Sequence, residues 1–367
     1  MLKEKFLEFG YTLEQYESVR NSGPLKKYKD EALASKFEEN NAFLLSVGYT
    51  NEDIIVTAMA IPAIYGLSEK NISNKLVDME SLGFTRDEVI KIAKVFPHVY
   101  SYVIGAMQEK LDNLKSLGYS HKNTLKIIKA APRMLGNSKE YVDKRIDKIA
   151  ALGYTRADVL KIGRTFPVIY ILSIGYLEKR IEEIQSLGFT KEDALKMGRA
   201  FPMLYGLSYD TLKQKIDDIV SLGYTRDEVF KMLKKSPTIL GMNMASFRKK
   251  IDDIISLGYT KDEVLDMTKA MPSIYGFSTE NIKSKVEFYD SIDMHDLLVE
   301  STKDLMQSVE LSYARYQFYL SRGVTVTMDN YKRLFVDDKT FKKTYGITKE
   351  ELLEKYNYQE HLEKVKK

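Results

Sequence analysis

The sequence predicts an all-α solenoid, right- or left-handed, built from 35-residue helix-pair repeats. Three observations predict it: a glycine–aromatic pair at a fixed interval, a proline at the same interval, and a threonine-to-acid spacing between them that reads as a helix start. The pair appears as Gly48-Tyr49, Gly83-Phe84, Gly118-Tyr119, Gly153-Tyr154, Gly188-Phe189, Gly223-Tyr224 and Gly258-Tyr259, 35 residues apart each time. Pro62, Pro97, Pro132, Pro167, Pro202, Pro237 and Pro272 keep the same interval, and Gly10-Tyr11 with Pro24 form an earlier copy. These eight prolines are all the chain has, so proline punctuates each repeat once. Periods of roughly 20–50 residues mark repeat architectures.

Each repeat reads alike. Thr85 to Glu88, Thr190 to Asp193 and Thr225 to Glu228 have the spacing of an N-cap and its capping box. A leading helix follows, predicted over about 86–96 in the third copy, with Val89, Ile92 and Phe96 on one face. The proline ends it, because it lacks an N–H and disfavours helical geometry in the residue before it. A short segment then carries an apolar pair: Leu204-Tyr205, Ile239-Leu240, Ile274-Tyr275. A trailing helix, predicted over about 105–117, closes the repeat. In the sixth copy Leu212, Ile216, Ile219 and Leu222 form its apolar stripe, and Gly223 supplies the stop. A helix pair with one stripe per helix cannot bury it alone, so neighbours must stack.

The pattern divides the chain into eight tandem repeats over 1–292 and a worn ninth repeat with a helical cap over 293–367. In the ninth repeat, 293–322, Ile292-Asp293 stands where Leu-Gly is expected and Gln307 where proline is expected. Leu334, Phe335, Phe341, Tyr345 and a second box, Thr348 to Glu351, predict the cap that covers the last apolar face.

Composition narrows the function. Hydrophobic residues make up 44% of the chain, but none of its runs reaches the roughly 18 apolar residues of a membrane helix. The absence of cysteine excludes disulfides, thiolate metal sites and cysteine nucleophiles. The N-terminus mixes Lys3, Glu4, Lys5 and Glu8 with Leu2, Phe6 and Leu7, which is no signal peptide. A cytoplasmic location is expected, or an organelle matrix if a targeting segment has been removed. His98, His121, His295 and His361 are scattered without metal-ligand spacing, and phosphate-loop or hydrolase motifs are absent. The chain is therefore expected to be no enzyme, to hold no metal or cofactor, and to act as a monomer.

The net charge of +4 is modest, so its distribution matters more. Three residues before the prolines stand Lys94, Lys129, Arg164, Arg199, Lys234 and Lys269, and six before stand Lys91, Lys126, Lys161, Lys196 and Lys231. Both sets are expected opposite the apolar face of the leading helix, where a solvated surface would also place them. Thirteen after the prolines stand Lys75, Lys110, Arg145, Arg180, Lys215, Lys250 and Lys285, basic in all seven copies. That position lies at the edge of the trailing helix's apolar stripe. There a cation can send its charge into a shared groove, or pair with acids of the next repeat. Asp112, Asp147, Glu182, Asp217, Asp252 and Glu287 fall on the outward side of the same helix. The residue after each proline differs in every copy: Leu25, Ala63, His98, Arg133, Val168, Met203, Thr238 and Ser273. Drift would give this, and so would repeats that each read a different base.

The unit L-G-Y-T-x-D-E-V-x-K-M-x-K-x-x-P-x-I-L-G resembles the repeat of the mitochondrial transcription termination factor (mTERF) family, in register through eight copies from residue 1 to about 322. The resemblance implies triangular helical repeats in a curved superhelix. It also implies a basic concave groove holding double-stranded DNA or, in many members, RNA. The copies resemble one another more than is usual in that family, which would suit a bacterial-type or engineered relative. The expected function is nucleic-acid binding, with duplex DNA favoured, acting by occupancy in transcription or replication. In that reading the rows three before and thirteen after proline hold the backbone, and the post-proline residues are candidates for base readout. RNA binding and a protein-binding scaffold are the alternatives.

Overall fold

The structure is a computed structural model that describes residues 2–365, and every regular element among them is a helix. They form two compact units, one ending at Lys179 and the other beginning at Arg180. Within each unit, consecutive repeats pack leading helix on leading helix and trailing helix on trailing helix.

A repeat has three elements where the sequence predicts two. In the third copy the leading helix is Arg86–Val95, the trailing helix is Ile104–Ser116, and the segment between them is a 3₁₀ helix, Pro97–Ser101. Phe96, at φ −133° and ψ 76°, breaks the α-helical path. Pro97 then opens the 3₁₀ helix at its first position, where a missing N–H leaves no bond unmade. The pattern holds through Pro237–Gly241 and Pro272–Gly276. Thr50, Thr85, Thr155, Thr190, Thr225 and Thr260 each make both halves of a capping box at a leading helix. Ser68, Ser138, Ser208 and Ser278 cap trailing helices.

The ninth repeat corrects one expectation. Asp293 takes the glycine's place at φ 57°, a conformation aspartate tolerates better than most residues. The leading helix shrinks to Leu297–Glu300, however, so the 3₁₀ helix begins at Thr302, and Thr302 rather than Gln307 stands in the proline's place. The stretch from the turn to the 3₁₀ helix is five residues shorter than in the regular copies, and a strict 35-residue count overshoots. The cap follows as Asp338–Tyr345 and Lys349–Lys355, with Phe341 and Leu352 buried. Arg315, only 2% exposed, ties it down. Its guanidinium donates to the Leu334 carbonyl at 2.8 Å and to Asp338 at 2.7 Å.

Tyrosines join neighbouring repeats. The hydroxyl of the tyrosine after glycine meets that of the tyrosine three after the second proline along: Tyr11 with Tyr65 and Tyr49 with Tyr100 at 2.8 Å, Tyr119 with Tyr170, and Tyr224 with Tyr275 at 2.5 Å. A buried tyrosine needs a partner for its hydroxyl, and these pairs supply one inside the core.

Candidate nucleic-acid interface

The 3₁₀ helix sets the first row of candidates. Its second and third apolar positions, such as Val99-Tyr100 and Ile239-Leu240, are buried, which turns the post-proline side chain outward. The residue before proline is nearly superposable in every regular copy: Ile61 (−137°, 78°), Phe96 (−133°, 76°), Ala131 (−137°, 68°), Phe166 (−135°, 71°), Phe201 (−138°, 77°), Ser236 (−142°, 75°) and Met271 (−133°, 80°). Each repeat therefore presents its post-proline residue in one local orientation. His98, Arg133, Met203 and Thr238 are exposed, and Ala63, Val168 and Ser273 are half-buried. Leu25 is the exception and a correction. It is 0% exposed, because the first repeat has no 3₁₀ helix and folds this leucine into the core instead.

From the row thirteen after proline, three side chains reach a backbone carbonyl of the next repeat. Arg180 donates to Leu207 at 2.8 Å, Lys215 to Met242 at 3.0 Å and Lys250 to Phe277 at 2.5 Å. Each acceptor is the residue that ends the next 3₁₀ helix, where unpaired carbonyls gather negative charge. Lys285 donates to the Leu305 carbonyl inside the shortened ninth repeat. Asn40, 35 residues before Lys75, does the same work in the first repeat, donating to the carbonyls of Ile64 at 2.9 Å and Leu67 at 3.2 Å. The sequence reading missed Asn40 because it followed charge, although the spacing alone marks the position.

Burial then divides the row. Lys250 and Lys285, 8% and 3% exposed, are corrections to the list of backbone contacts. Their ammonium groups are covered by the next repeat, and burial pushes both below the ordinary lysine range. Lys75, Lys110, Arg145, Arg180 and Lys215 stay half-buried and reachable. Arg145 differs from the rest: its Nε and one Nη are buried without a hydrogen-bond partner, and burial lowers its pKa.

The row three before proline is not turned away from the core side as expected. It lies at the seam with the preceding repeat. Lys94 pairs with Asp53 at 2.8 Å, Lys129 with Glu88 at 2.6 Å, Lys234 with Asp193 at 2.8 Å and Lys269 with Glu228 at 3.1 Å. Each acid is the capping-box acid of the preceding leading helix. Lys129 holds Glu88, and Lys234 holds Asp193, below the usual carboxylate range. Lys94 and Arg164 also lie over the rings of Tyr49 and Tyr119, at 5.1 Å and 5.8 Å. Arg199 is half-buried. The row six before proline, Lys91 through Lys231, is exposed.

The geometry is thus a repeated unit with one outward variable side chain on a fixed turn, one inner-edge cation and one seam cation. The sequence pattern of the mTERF family matches residues 29–116, 105–222 and 219–298, three consecutive stretches of repeats. The chain belongs to the mTERF family. That family consists of nucleic-acid-binding helical repeats and is not an enzyme family. No curated protein matches the chain. The mTERF match runs through the regular copies and stops at residue 298, inside the shortened leading helix. Among the described residues no helix is long and apolar enough to cross a membrane.

Proposed function

We propose that this mTERF protein binds nucleic acid along its repeats as a monomer, with duplex DNA the favoured ligand and occupancy of a site during transcription its use. The observation that carries the reading is Arg145. The protein gives these buried N–H groups no partner, at a cost of roughly 1–3 kcal/mol, and turning the side chain outward to a phosphate would replace that cost with charge-assisted bonds. Lys144 and Lys148 lie exposed on the same helix and add to the attraction. Lys75, Lys110, Arg180 and Lys215 extend the row within their own units, and Lys215 keeps two of its three donors after bonding Met242. Lys129 and Lys234, exposed at the seam, make secondary contacts while sharing charge with the caps.

The post-proline residues carry the finer part of the proposal. The shared backbone geometry supports readout of one base per repeat. Arg133 would reach guanine O6 and N7; His98, Thr238 and Ser273 would make single polar contacts; Ala63 and Val168 would meet a thymine methyl. Met203, 58% exposed, would make an apolar contact.

One experiment tests both parts. The purified protein, Arg145→Gln and Arg133→Thr are bound to random duplex DNA and random RNA pools at several salt concentrations, and the retained molecules are sequenced. Arg145→Gln should weaken binding evenly across sequences and lower the slope of log K against log salt by roughly 0.9 on duplex DNA. Arg133→Thr should change preference at one position, at roughly 1–3 kcal/mol against the old base. An unchanged affinity and salt slope for Arg145→Gln would remove the phosphate role. A uniform loss with Arg133→Thr would remove the readout.

A further inference from the structure

Beside the trailing helices, two clefts stand open at matching repeat positions, one in each unit. The cleft in the first unit measures about 650 Å³ and that in the second about 500 Å³, within the roughly 300–1,000 Å³ of ligand sites. The corresponding space beside Lys110 is closed to about 10 Å³. Each open cleft is walled by a polar stripe at i, i+3, i+4 and i+7 of one trailing helix. The stripe is Asn71, Asn74, Lys75 and Asp78 in the first cleft, and Thr211, Gln214, Lys215 and Asp218 in the second. The middle of that stripe, twelve after proline, is a carboxamide in these two repeats alone. The other regular copies carry Glu109, Lys144, Lys179, Lys249 and Ser284 there. Tyr100 closes the inner end of the first cleft and Phe247 that of the second, each 1% exposed.

We infer that each of these two clefts binds one adenine ribonucleotide. Three groups divide the work. A carboxamide matches the adjacent donor and acceptor of adenine N6 and N7. The lysine receives the phosphate. The aspartate accepts from a ribose hydroxyl, as acids do in dinucleotide sites. The groups have capacity to spare. Asn74 is exposed and makes no hydrogen bond to the described residues. Gln214 gives one N–H to Asp218 at 2.8 Å, which orders both side chains and leaves the second N–H and the oxygen open. The floor is apolar, from Ile61 and Ile64 in one cleft and Ile219 and Ile239 in the other, as the faces of a base require. This inference shares Lys75 and Lys215 with the phosphate row, but its adenine contacts, Asn74 and Gln214, lie outside that row.

Isothermal titration of the full-length protein with AMP, dAMP and GMP, and separately with a single-stranded oligo(A) RNA, tests it. AMP should bind at two sites per chain, with dAMP and GMP at least tenfold weaker. Asn74→Leu and Gln214→Leu should each remove one site, and the double variant both, with thermal unfolding and duplex-DNA affinity near those of the parent. If oligo(A) RNA binds in the same carboxamide-dependent way and AMP does not, the nucleotide is taken from a strand, and the clefts still stand as adenine sites. Binding of neither ligand, or binding that survives in the double variant, would overturn the inference. Loss of the phosphate role in Arg145→Gln would leave this result untouched, so the two proposals fail separately.

Discussion

Tyr49 and Tyr100 share a hydrogen bond across a repeat seam, and the residue four before the proline in that seam is Ala93. The same three positions vary together along the chain. Tyr119–Tyr170 goes with Gly163, where an added Cβ would collide with both hydroxyls. Tyr224–Tyr275 goes with Thr268, whose hydroxyl lies 2.5 Å from that of Tyr224. Where the glycine is followed by phenylalanine, the partner position is leucine and the third position is large: Phe84, Leu135 and Ile128, then Phe189, Leu240 and Leu233. Two hydroxyls need each other and the room a small residue leaves, whereas an apolar pair needs that room filled. Tyr49→Phe alone should therefore cost about 1–3 kcal/mol by leaving the Tyr100 hydroxyl buried and unpaired. Adding Tyr100→Leu and Ala93→Ile should recover most of the loss by installing the other natural set. Urea unfolding of the single and triple variants measures both. A triple variant less stable than the single would break the rule.

At the scale of elements, cations that read as a ligand-binding ribbon serve first as joints. The 3₁₀ helix ends in carbonyls its own repeat leaves unsatisfied, and the trailing helix of the preceding repeat supplies the donor. A long side chain at the edge of an apolar stripe can lay its methylenes on the core and still reach that carbonyl. Aligned cations in a sequence therefore do not by themselves distinguish a joint from a phosphate contact. Lys250→Met separates the two roles. It should destabilise the fold by about 1–3 kcal/mol, because the Phe277 carbonyl loses its donor. It should leave the salt slope of duplex binding where it was, because Lys250 is covered. Chemical unfolding and the salt titration together check this, and a reduced slope at unchanged stability would return Lys250 to the ribbon.

Across the whole molecule, the tyrosine pairs tie stability to alkaline pH. Burial raises the pKa of Tyr11, Tyr49, Tyr119, Tyr170, Tyr224 and Tyr275, and pushes Tyr100 up to about 12. An unfolded tyrosine releases its proton near pH 10. Above that pH the unfolded chain binds fewer protons than the fold, so unfolding becomes easier as pH rises. The tyrosine contribution should be fully present below about pH 10 and fall away as pH climbs through 10–12. Because the pairs lie at seams between repeats, circular dichroism and the ultraviolet absorbance of tyrosinate should change together in that window. Tyrosinate formation well before loss of helix would mean the hydroxyls are accessible in the fold.

Periodicity alone determined the all-helical fold, the repeat length, the caps and the helix limits to within about a residue. These depend on local rules: a threonine three before an acid, a proline without its N–H, a glycine at positive φ. Each signal is complete within a few residues of chain, so sequence displays it directly. Function was legible less evenly. The outward post-proline position followed from its variability beside a fixed turn, and Lys75, Lys110, Arg145, Arg180 and Lys215 lie half-buried on a common helix edge. Only the tertiary structure decided that Lys250 and Lys285 are covered, that Leu25 is core, and that Thr302 replaces the proline. It alone paired Lys94, Lys129, Lys234 and Lys269 with the preceding caps and left two clefts open among similar repeats. A cation's role depends on which carbonyl, carboxylate or solvent lies within about 3 Å of its nitrogen. Those neighbours come from the adjoining repeat, some 27–41 residues away along the chain, and only stacking brings them into reach.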